Sequence, residues 1–144
     1  MKIVCFTDIS GFHEISKNTD IEIHKFLNAY YQQVGDVAIS LSGEIIKYIG
    51  DSMLIIFPPS HPNTIVDKLT HLCHEFIVLL NKFGINNHHH LMVGLAMGEI
   101  KIGSIGHPSK IQKDVFGLTV NHAAMACKLP GISISPKSVV KFHD

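Results

Sequence analysis

The first third of the chain shows one continuous apolar run and one stretch in which apolar residues recur with helical periodicity. Lys2–Ile9 is rich in β-forming side chains, which is typical of a strand buried on both faces, and Gly11 follows it. After Asp20, the expected N-cap, apolar residues recur at spacings of three and four as far as Leu41. Gly43 is the expected helix terminator. These patterns predict a buried strand followed by a long amphipathic helix.

The middle of the chain predicts a hairpin and a second long helix. Residues 45–57 are apolar and rich in β-formers on both sides of a Gly-Asp turn at 50–51. The next apolar stripe has helical spacing, with Asn63 or Thr64 as its expected cap and Gly84 as its end. The second helix would then pack on the sheet that the hairpin extends.

The last third of the chain predicts a second hairpin around Gly98, a short helix and a final strand. The expected ranges are 91–97 and 99–105 for the strands, 106–112 for a loop, 119–128 for the helix and 132–135 for the last strand. Helices and strands therefore interleave in the order strand, two helices, hairpin, helix, hairpin, helix, strand. This order predicts one domain over residues 1–144, a sheet of α/β or α+β type with helices on its faces.

Composition narrows the kinds of partner. Of the 144 residues, 46% are apolar and 17% charged, and 12 Lys+Arg balance 12 Asp+Glu. An ordered domain is expected, and neither nucleic acid nor an anionic membrane is an expected partner. The absence of a secretion signal, of a spanning apolar stretch and of a Cys-x-x-Cys pattern favours a cytoplasmic protein without a disulfide framework. The mean hydropathy of +0.24 suggests that a partner covers some apolar surface.

Histidine is unusually frequent, with 11 residues. His71 and His74 are three positions apart on an expected helix, a spacing that could hold a metal ion. His88, His89 and His90 are expected to form an exposed loop before a strand. The alternative, which we favour from sequence, is a set of scattered surface histidines, because no cysteine or carboxylate cluster accompanies them.

Two acidic residues are placed where a metal site would need them. Asp8 closes the first strand, and Asp51 lies in the turn of the first hairpin. Carboxylates are the hard oxygen ligands that Mg²⁺ prefers when phosphates complete its coordination shell. Gly11 permits a close backbone approach to a phosphate. An aspartate at a turn is more often a turn former than a metal ligand, so this pattern alone leaves both alternatives open.

Four sequence strings strengthen the metal hypothesis because they resemble, in order and spacing, the class III adenylate/guanylate cyclase catalytic domain. They are FTDISGF at 6–12, GEIIKYIGDS at 43–52, VGLAMGE at 93–99 with later glycines at 103 and 106, and DVFGLTVNHAA at 114–124. The resemblance extends from residue 2 to about residue 135. It implies an α+β (α/β sandwich) fold with a ferredoxin-like βαβ-βαβ core and a mixed, mainly antiparallel sheet.

The resemblance also implies a metal and phosphate site. Asp8 and Asp51 match the aspartates that hold two Mg²⁺ or Mn²⁺ ions, one of which helps the ribose 3′-hydroxyl attack the α-phosphate. The carbonyl of Ile9 would add a metal ligand. The backbone amides expected to hold the terminal phosphates belong to Ser10, Gly11 and Phe12.

A second group of residues matches the family's nucleotide-selecting positions. Lys47 matches the base-selecting lysine, Asp114 the residue that works with it, and Asn121 the asparagine that orients the ribose. An ammonium donor and a carboxylate acceptor suit the N1 acceptor and N6 donor of adenine, so ATP is favoured over GTP. In the family the two groups of residues come from different partners in a head-to-tail pair. Because this chain resembles both groups, a symmetric homodimer is expected.

The chain departs from the family at two places. The family usually carries an arginine four residues after the asparagine, whereas this chain has Met125, which offers neither charge nor a donor. Loss of such a cation costs on the order of 10³-fold in rate, and Lys128 is the nearest replacement. We also expect the family's further strands, which carry a basic residue, to be missing, and Lys137 and Lys141 are the late cations.

Two hypotheses about function follow. The first is a weakened, dimeric adenylate cyclase that converts ATP to cyclic AMP and pyrophosphate. The second is a degenerate nucleotide- or metal-binding regulatory domain, or one subunit of a heterodimer with a homologous cyclase chain that supplies the missing arginine.

Overall fold

Seven strands and four helices make up the part of the chain that the computed structural model describes, residues 1–86 and 88–138. In chain order they are β1 (Lys2–Ile9), α1 (Phe12–Lys17), α2 (Ile23–Ser40), β2 (Glu44–Ile49), β3 (Ser52–Phe57), α3 (Pro62–Lys82), β4 (Leu91–Gly98), β5 (Lys101–Ile105), β6 (Gln112–Phe116), α4 (Leu118–Ala126) and β7 (Gly131–Ile134). Lys141, one of the two late cations, lies outside the described residues. No described helix combines the length and apolar character that crossing a bilayer requires.

The five-stranded main sheet confirms the predicted fold. Its order is β2-β3-β1-β4-β7, and all neighbours are antiparallel except β4 and β7. Successive side chains of a strand point to opposite faces. Ile3 and Cys5 therefore pack against α2 and α3, whereas Val4 packs beneath α4 and Val115 of β6. The result is an α+β sandwich with two long helices on one face, and with α4 and the β5–β6 ribbon on the other.

The second predicted hairpin is wrong. β4 and β5 belong to different sheets, and β5 pairs instead with β6, which the sequence patterns did not predict. The reason lies in the composition of β6, Gln112–Phe116, which has too few apolar positions for a recognisable alternation. Lys113 of β6 forms a 2.5 Å ion pair with Glu44, so the ribbon is held against the edge strand β2.

The first predicted hairpin is confirmed, and it contains an unexpected bulge. Gly50 adopts a left-handed conformation, with φ of 61°, in the turn between β2 and β3. The register shifts by one residue, so that Ile45 is opposite Ile55 while Lys47 is opposite Leu54. A bulge of this kind re-aims the side chains that follow it. Lys47 consequently points to the face of Leu54, beneath α4 and the ribbon.

Both predicted helix caps are wrong. Helix α2 begins at Ile23, so Asp20 lies before the cap position, and no side chain caps the helix. Helix α3 begins at Pro62, which places Asn63 and Thr64 inside its first turn. Proline is well suited to the first helical position, because its fixed φ matches the helix and its missing N–H has no partner there.

The predicted terminator of α2 is displaced by one residue. Ser42, with φ of 62°, is the left-handed residue that follows α2. Gly43 serves packing instead, because a Cβ atom there would lie 2.6 Å from the ring of Phe57. The predicted terminator of α3 is confirmed, since Gly84 follows this helix with φ of 69°.

Candidate active site

The structure brings Asp8 and Asp51 together at one end of the main sheet. Thr7 of β1 pairs with Met53 of β3, so the end of β1 lies beside the β2–β3 turn that carries Asp51. The backbone N–H of Ile9 donates to Asp8 Oδ1 and to Asp51 Oδ2, at 3.0 Å each. One amide therefore holds both carboxylates, which we call the carboxylate pair.

The electrostatics of the carboxylate pair favour a bound cation. Burial, a hydrogen bond with Asp8 and the charge of Asp8 raise the pKa of Asp51 from 3.8 to about 7, although the Ile9 amide opposes the change. Two adjacent carboxylates cannot both ionise without repulsion unless a positive charge lies between them. Their oxygens are the hard ligands of Mg²⁺ and Mn²⁺, so the residues present fit such an ion.

Helix α2 fixes the turn that carries Asp51, through a residue that the motifs did not single out. The Tyr31 hydroxyl donates to the carbonyl of Gly50, and its ring packs on Tyr48 with centroids 4.5 Å apart. Burial and the charge of Asp51 raise the pKa of Tyr31, which keeps the hydroxyl protonated and able to donate. Tyr31 is thus a positioning residue for the carboxylate pair.

The loop after β1 differs from the sequence expectation in two ways. The Ser10 amide already donates to the carbonyl of His90 at 2.8 Å, which leaves the amides of Gly11 and Phe12 as the candidate phosphate donors. Gly11 has φ of 67°, and a Cβ atom there would lie 2.7 Å from His89 Nδ1. His89 is 4% exposed, so the expectation that all three neighbouring histidines are exposed is wrong. Its burial comes from long-range packing on Gly11, which no local pattern reveals.

Lys47 and Asp114 form a second pair, which joins β2 to β6. Lys47 Nζ lies 2.8 Å from Asp114 Oδ2, and the Asp114 side chain is 8% exposed. Burial alone would raise the pKa of Asp114. Hydrogen bonds from Lys47 and from the Val115 amide, together with the Lys47 charge, outweigh burial and lower that pKa. A fixed cationic donor and an anionic acceptor therefore lie side by side.

Helix α4 presents Asn121 and Met125 on an exposed face. They are one turn apart, and Met125 is 68% exposed. Leu118 and Leu129, at the two ends of this region, are 72% and 64% exposed. We call Leu118 and Met125 of α4, together with Leu129 just after the helix, the α4 apolar face. Large apolar side chains grouped on a surface are typical of an interaction site.

The predicted residues form two groups that no described hydrogen bond or ion pair joins within one chain. Among residues 1–86 and 88–138, no hydrogen bond or ion pair joins the carboxylate pair to Lys47, Asp114 or Asn121. Lys128 lies beside the carboxylate pair, because it lines a cavity of about 210 Å³ together with Asp8.

In the described part of the chain, His71 and His74 do not belong to a group of three ligand atoms that lie within 4.8 Å of one another. His71 Nε2 is instead 2.7 Å from Glu75 Oε1, one helical turn further along α3. The mixed cluster that the described residues do contain lies elsewhere, at Glu14, His88 and His89.

The fold and the adjacent aspartates together define a class of α+β sandwich domain that carries a carboxylate pair at one end of its main sheet. Comparison with known families assigns the chain within this class. The model of the adenylate and guanylate cyclase catalytic domain matches residues 3–130, and the chain belongs to this family.

One curated relative agrees with this assignment, and two solved structures share the fold. An adenylate cyclase from Anabaena cylindrica is 30% identical in an alignment of 134 positions, and the match covers 84% of this chain and 26% of the relative. The chain therefore spans about a quarter of the length of that curated relative. The adenylyl cyclase CyaB from P. aeruginosa superposes with a TM-score of 0.82 at 24% identity, over 94% of this chain and 76% of that one. The guanylate cyclase domain of RhGC from Catenaria anguillulae, in complex with GTP, superposes with a TM-score of 0.71 at 22% identity. The match covers 92% of this chain and 76% of that one.

Proposed function

We propose that this domain converts ATP to cyclic AMP and pyrophosphate at a seam between two copies of the chain, with reduced turnover because of Met125. The observation that carries the proposal is the carboxylate pair, in which Asp8 and Asp51 share the Ile9 amide at 3.0 Å. The motifs that supply the remaining roles are those of the family to which the chain belongs.

The carboxylate pair and the carbonyl of Ile9 would hold two Mg²⁺ or Mn²⁺ ions. Such ions polarise the phosphates and favour ionisation of the ribose 3′-hydroxyl. Tyr31 keeps the Asp51 turn in place by its hydrogen bond to the Gly50 carbonyl. The Ile9 amide keeps the two carboxylates oriented toward one another. In this proposal the amides of Gly11 and Phe12 would contact the terminal phosphates.

The Lys47–Asp114 pair supports ATP as the substrate. Lys47 Nζ can donate to adenine N1, while the Asp114 carboxylate accepts from the N6 amine. Guanine presents a donor at N1 and an acceptor at O6, so the same pair would oppose it. The lowered pKa of Asp114 keeps its carboxylate ionised and able to accept. Because relatives of both adenylyl and guanylate type superpose on this chain, the assignment to ATP depends on these two side chains.

The α4 apolar face supports a dimer. Asn121 lies on the same helix and would reach the ribose of a nucleotide bound to the partner's carboxylate pair. In a symmetric pair each chain would supply metal ligands to one site and base-selecting residues to the other. Contact across the seam would also cover the exposed Leu118, Met125 and Leu129.

Met125 supports the alternative hypothesis. A thioether cannot neutralise charge that develops on a phosphate. The alternative is a degenerate regulatory domain that binds nucleotide or metal, or one subunit of a heterodimer whose partner chain supplies an arginine.

The test is to incubate the purified protein with Mn²⁺ and each of the four nucleoside triphosphates and to measure the products. Cyclic AMP from ATP alone, lost in Asp8→Ala and retained in the exposed control Asp67→Ala, is the expected result. No cyclic product from any triphosphate, with ATP still bound, would contradict the enzyme and favour the regulatory alternative. Activity that appears only after mixing with a homologous cyclase chain would favour the heterodimer.

A further inference from the structure

Two imidazoles and a carboxylate converge beside the loop that follows β1. Glu14 belongs to α1, whereas His88 and His89 belong to the connection between α3 and β4. One ligand atom from each of the three residues lies within 4.8 Å of the others. His88 Nε2 is 3.6 Å from Glu14 Oε1, and the two histidine rings have centroids 4.1 Å apart. Nitrogen and oxygen ligands in this combination are typical of a zinc-type metal ion.

His89 is oriented in advance as a metal ligand. Its Nδ1 lies 2.8 Å from the carbonyl oxygen of Ser10. A carbonyl can only accept a hydrogen bond, so Nδ1 carries the proton and Nε2 keeps its lone pair. Metal-binding histidines almost always donate their other ring N–H to a carbonyl or carboxylate in this manner, which fixes the tautomer and the ring. Because His89 is 4% exposed and packs directly on Gly11, its ring has little freedom to turn away.

The backbone around His89 is also fixed. His90 N–H donates to Ser10 Oγ at 2.7 Å, and Ser10 N–H donates to the His90 carbonyl at 2.8 Å. This reciprocal pair ties the start of β4 to the end of β1. His89 therefore lies in the connection directly before β4, a strand that pairs with β1 along its whole length.

The two other side chains can complete the coordination. Ligand atoms about 2.0–2.1 Å from a tetrahedral zinc ion lie about 3.3 Å from one another. The 3.6 Å separation between Glu14 and His88 is close to this value, and both side chains are exposed, at 70% and 55%. A cavity of about 160 Å³ lined by Glu14 and His89 adjoins the cluster. It offers space for a water molecule at the fourth coordination position.

We propose that Glu14, His88 and His89 form a binding site for Zn²⁺ or a similar borderline transition-metal ion, separate from the carboxylate pair. The donor sets explain the separation: imidazole nitrogens favour zinc-type ions, whereas the all-oxygen carboxylate pair favours Mg²⁺ or Mn²⁺. A bound ion would join α1 to the start of β4 across Ser10 and Gly11. The site does not depend on the proposed cyclase activity, since its ligands are not those of the nucleotide.

The test is a Zn²⁺ titration in competition with a chromophoric chelator, with excess Mg²⁺ present to occupy the carboxylate pair. The wild-type protein is expected to bind one Zn²⁺ per chain with the highest affinity. His88→Ala and Glu14→Gln should each weaken that binding at least about tenfold. Both side chains are exposed, so both variants should fold, which circular dichroism would verify.

Two controls separate this site from others. His71→Ala removes the exposed His71–Glu75 pair on α3 and is expected to leave the tight Zn²⁺ binding unchanged. Asp51→Asn removes a carboxylate of the other site and should also leave it unchanged. Equal Zn²⁺ affinity in wild type and His88→Ala, or an equal loss in His71→Ala, would overturn the proposal. Because the readout is metal binding, a failure of the cyclase hypothesis would not alter the result.

Discussion

Replacing Asp51 by asparagine should stabilise the metal-free protein while abolishing its use of divalent cations. The pKa of Asp51 is raised from 3.8 to about 7, first by burial and then by Asp8. The folded state therefore retains a proton that the unfolded state has already released, and deprotonation at neutral pH costs stability. Asparagine removes that charge. Its amide oxygen can still accept from the Ile9 N–H, and its amino group can donate to Asp8.

The magnitude follows from the size of the pKa change. A rise from 3.8 to about 7 corresponds to a ceiling of about 4 kcal/mol. Asp51 is only half-buried, so solvent screening reduces the expected gain to about 1–2 kcal/mol. For a chain of 144 residues this gain corresponds to a rise of roughly 3–7 °C in melting temperature.

The stability difference between Asp51→Asn and wild type should depend on pH, and the direction of that dependence is fixed. A group whose folded-state pKa is raised contributes stability that is complete below its unfolded pKa and is lost as pH rises through the folded pKa. The advantage of Asp51→Asn over wild type should thus be greatest above pH 7 and should shrink toward zero near pH 4.

The assay is thermal denaturation in EDTA at several pH values, with Asp67→Asn on the exposed face of α3 as a matched control. Mn²⁺ should then raise the melting temperature of wild type and leave that of Asp51→Asn unchanged. A variant that is no more stable than wild type at pH 8, or an advantage that grows as pH falls, would refute the reasoning about the carboxylate pair.

Three other substitutions test separate parts of the site. Met125→Arg should raise cyclic AMP formation at least about tenfold, measured with Mn²⁺ and ATP, whereas the control Leu129→Arg should not raise it. Unchanged turnover in Met125→Arg would mean that the missing cation is not the defect. Lys47→Ala should raise the KM for ATP at least about tenfold and erase the preference over GTP, and a retained preference would remove Lys47 from base selection. Tyr31→Phe should lower the affinity for Mn²⁺ a few-fold with little change in the KM for ATP, because only the hydrogen bond to the turn is lost. A titration of Mn²⁺ against activity measures this affinity. An unchanged Mn²⁺ affinity would exclude the positioning role of Tyr31.

Local patterns predicted the elements whose apolar spacing is regular. Strand β1 and the β2–β3 hairpin were predicted close to their observed bounds, because buried central strands need long β-forming runs and Gly50 suits a tight turn. The helix caps were predicted wrongly, since in this chain proline and tertiary packing set the helix starts. Strand β6 was missed because its exposed, polar sequence has no periodic signal, and its pairing with β5 provides the order.

Motif spacing and apolar periodicity were enough to assign the family, the order of the main elements and the residue types available for chemistry, because these features are local in the chain. Which of these residues lie together depends on the folded chain. Without the bulge between Ile45 and Lys47, the ammonium group would point toward α2 and α3, since side chains alternate faces with a period of two. Likewise, the adjacency of Asp8 and Asp51 and the burial of His89 depend on strand pairings between residues far apart in the chain, which local sequence cannot specify.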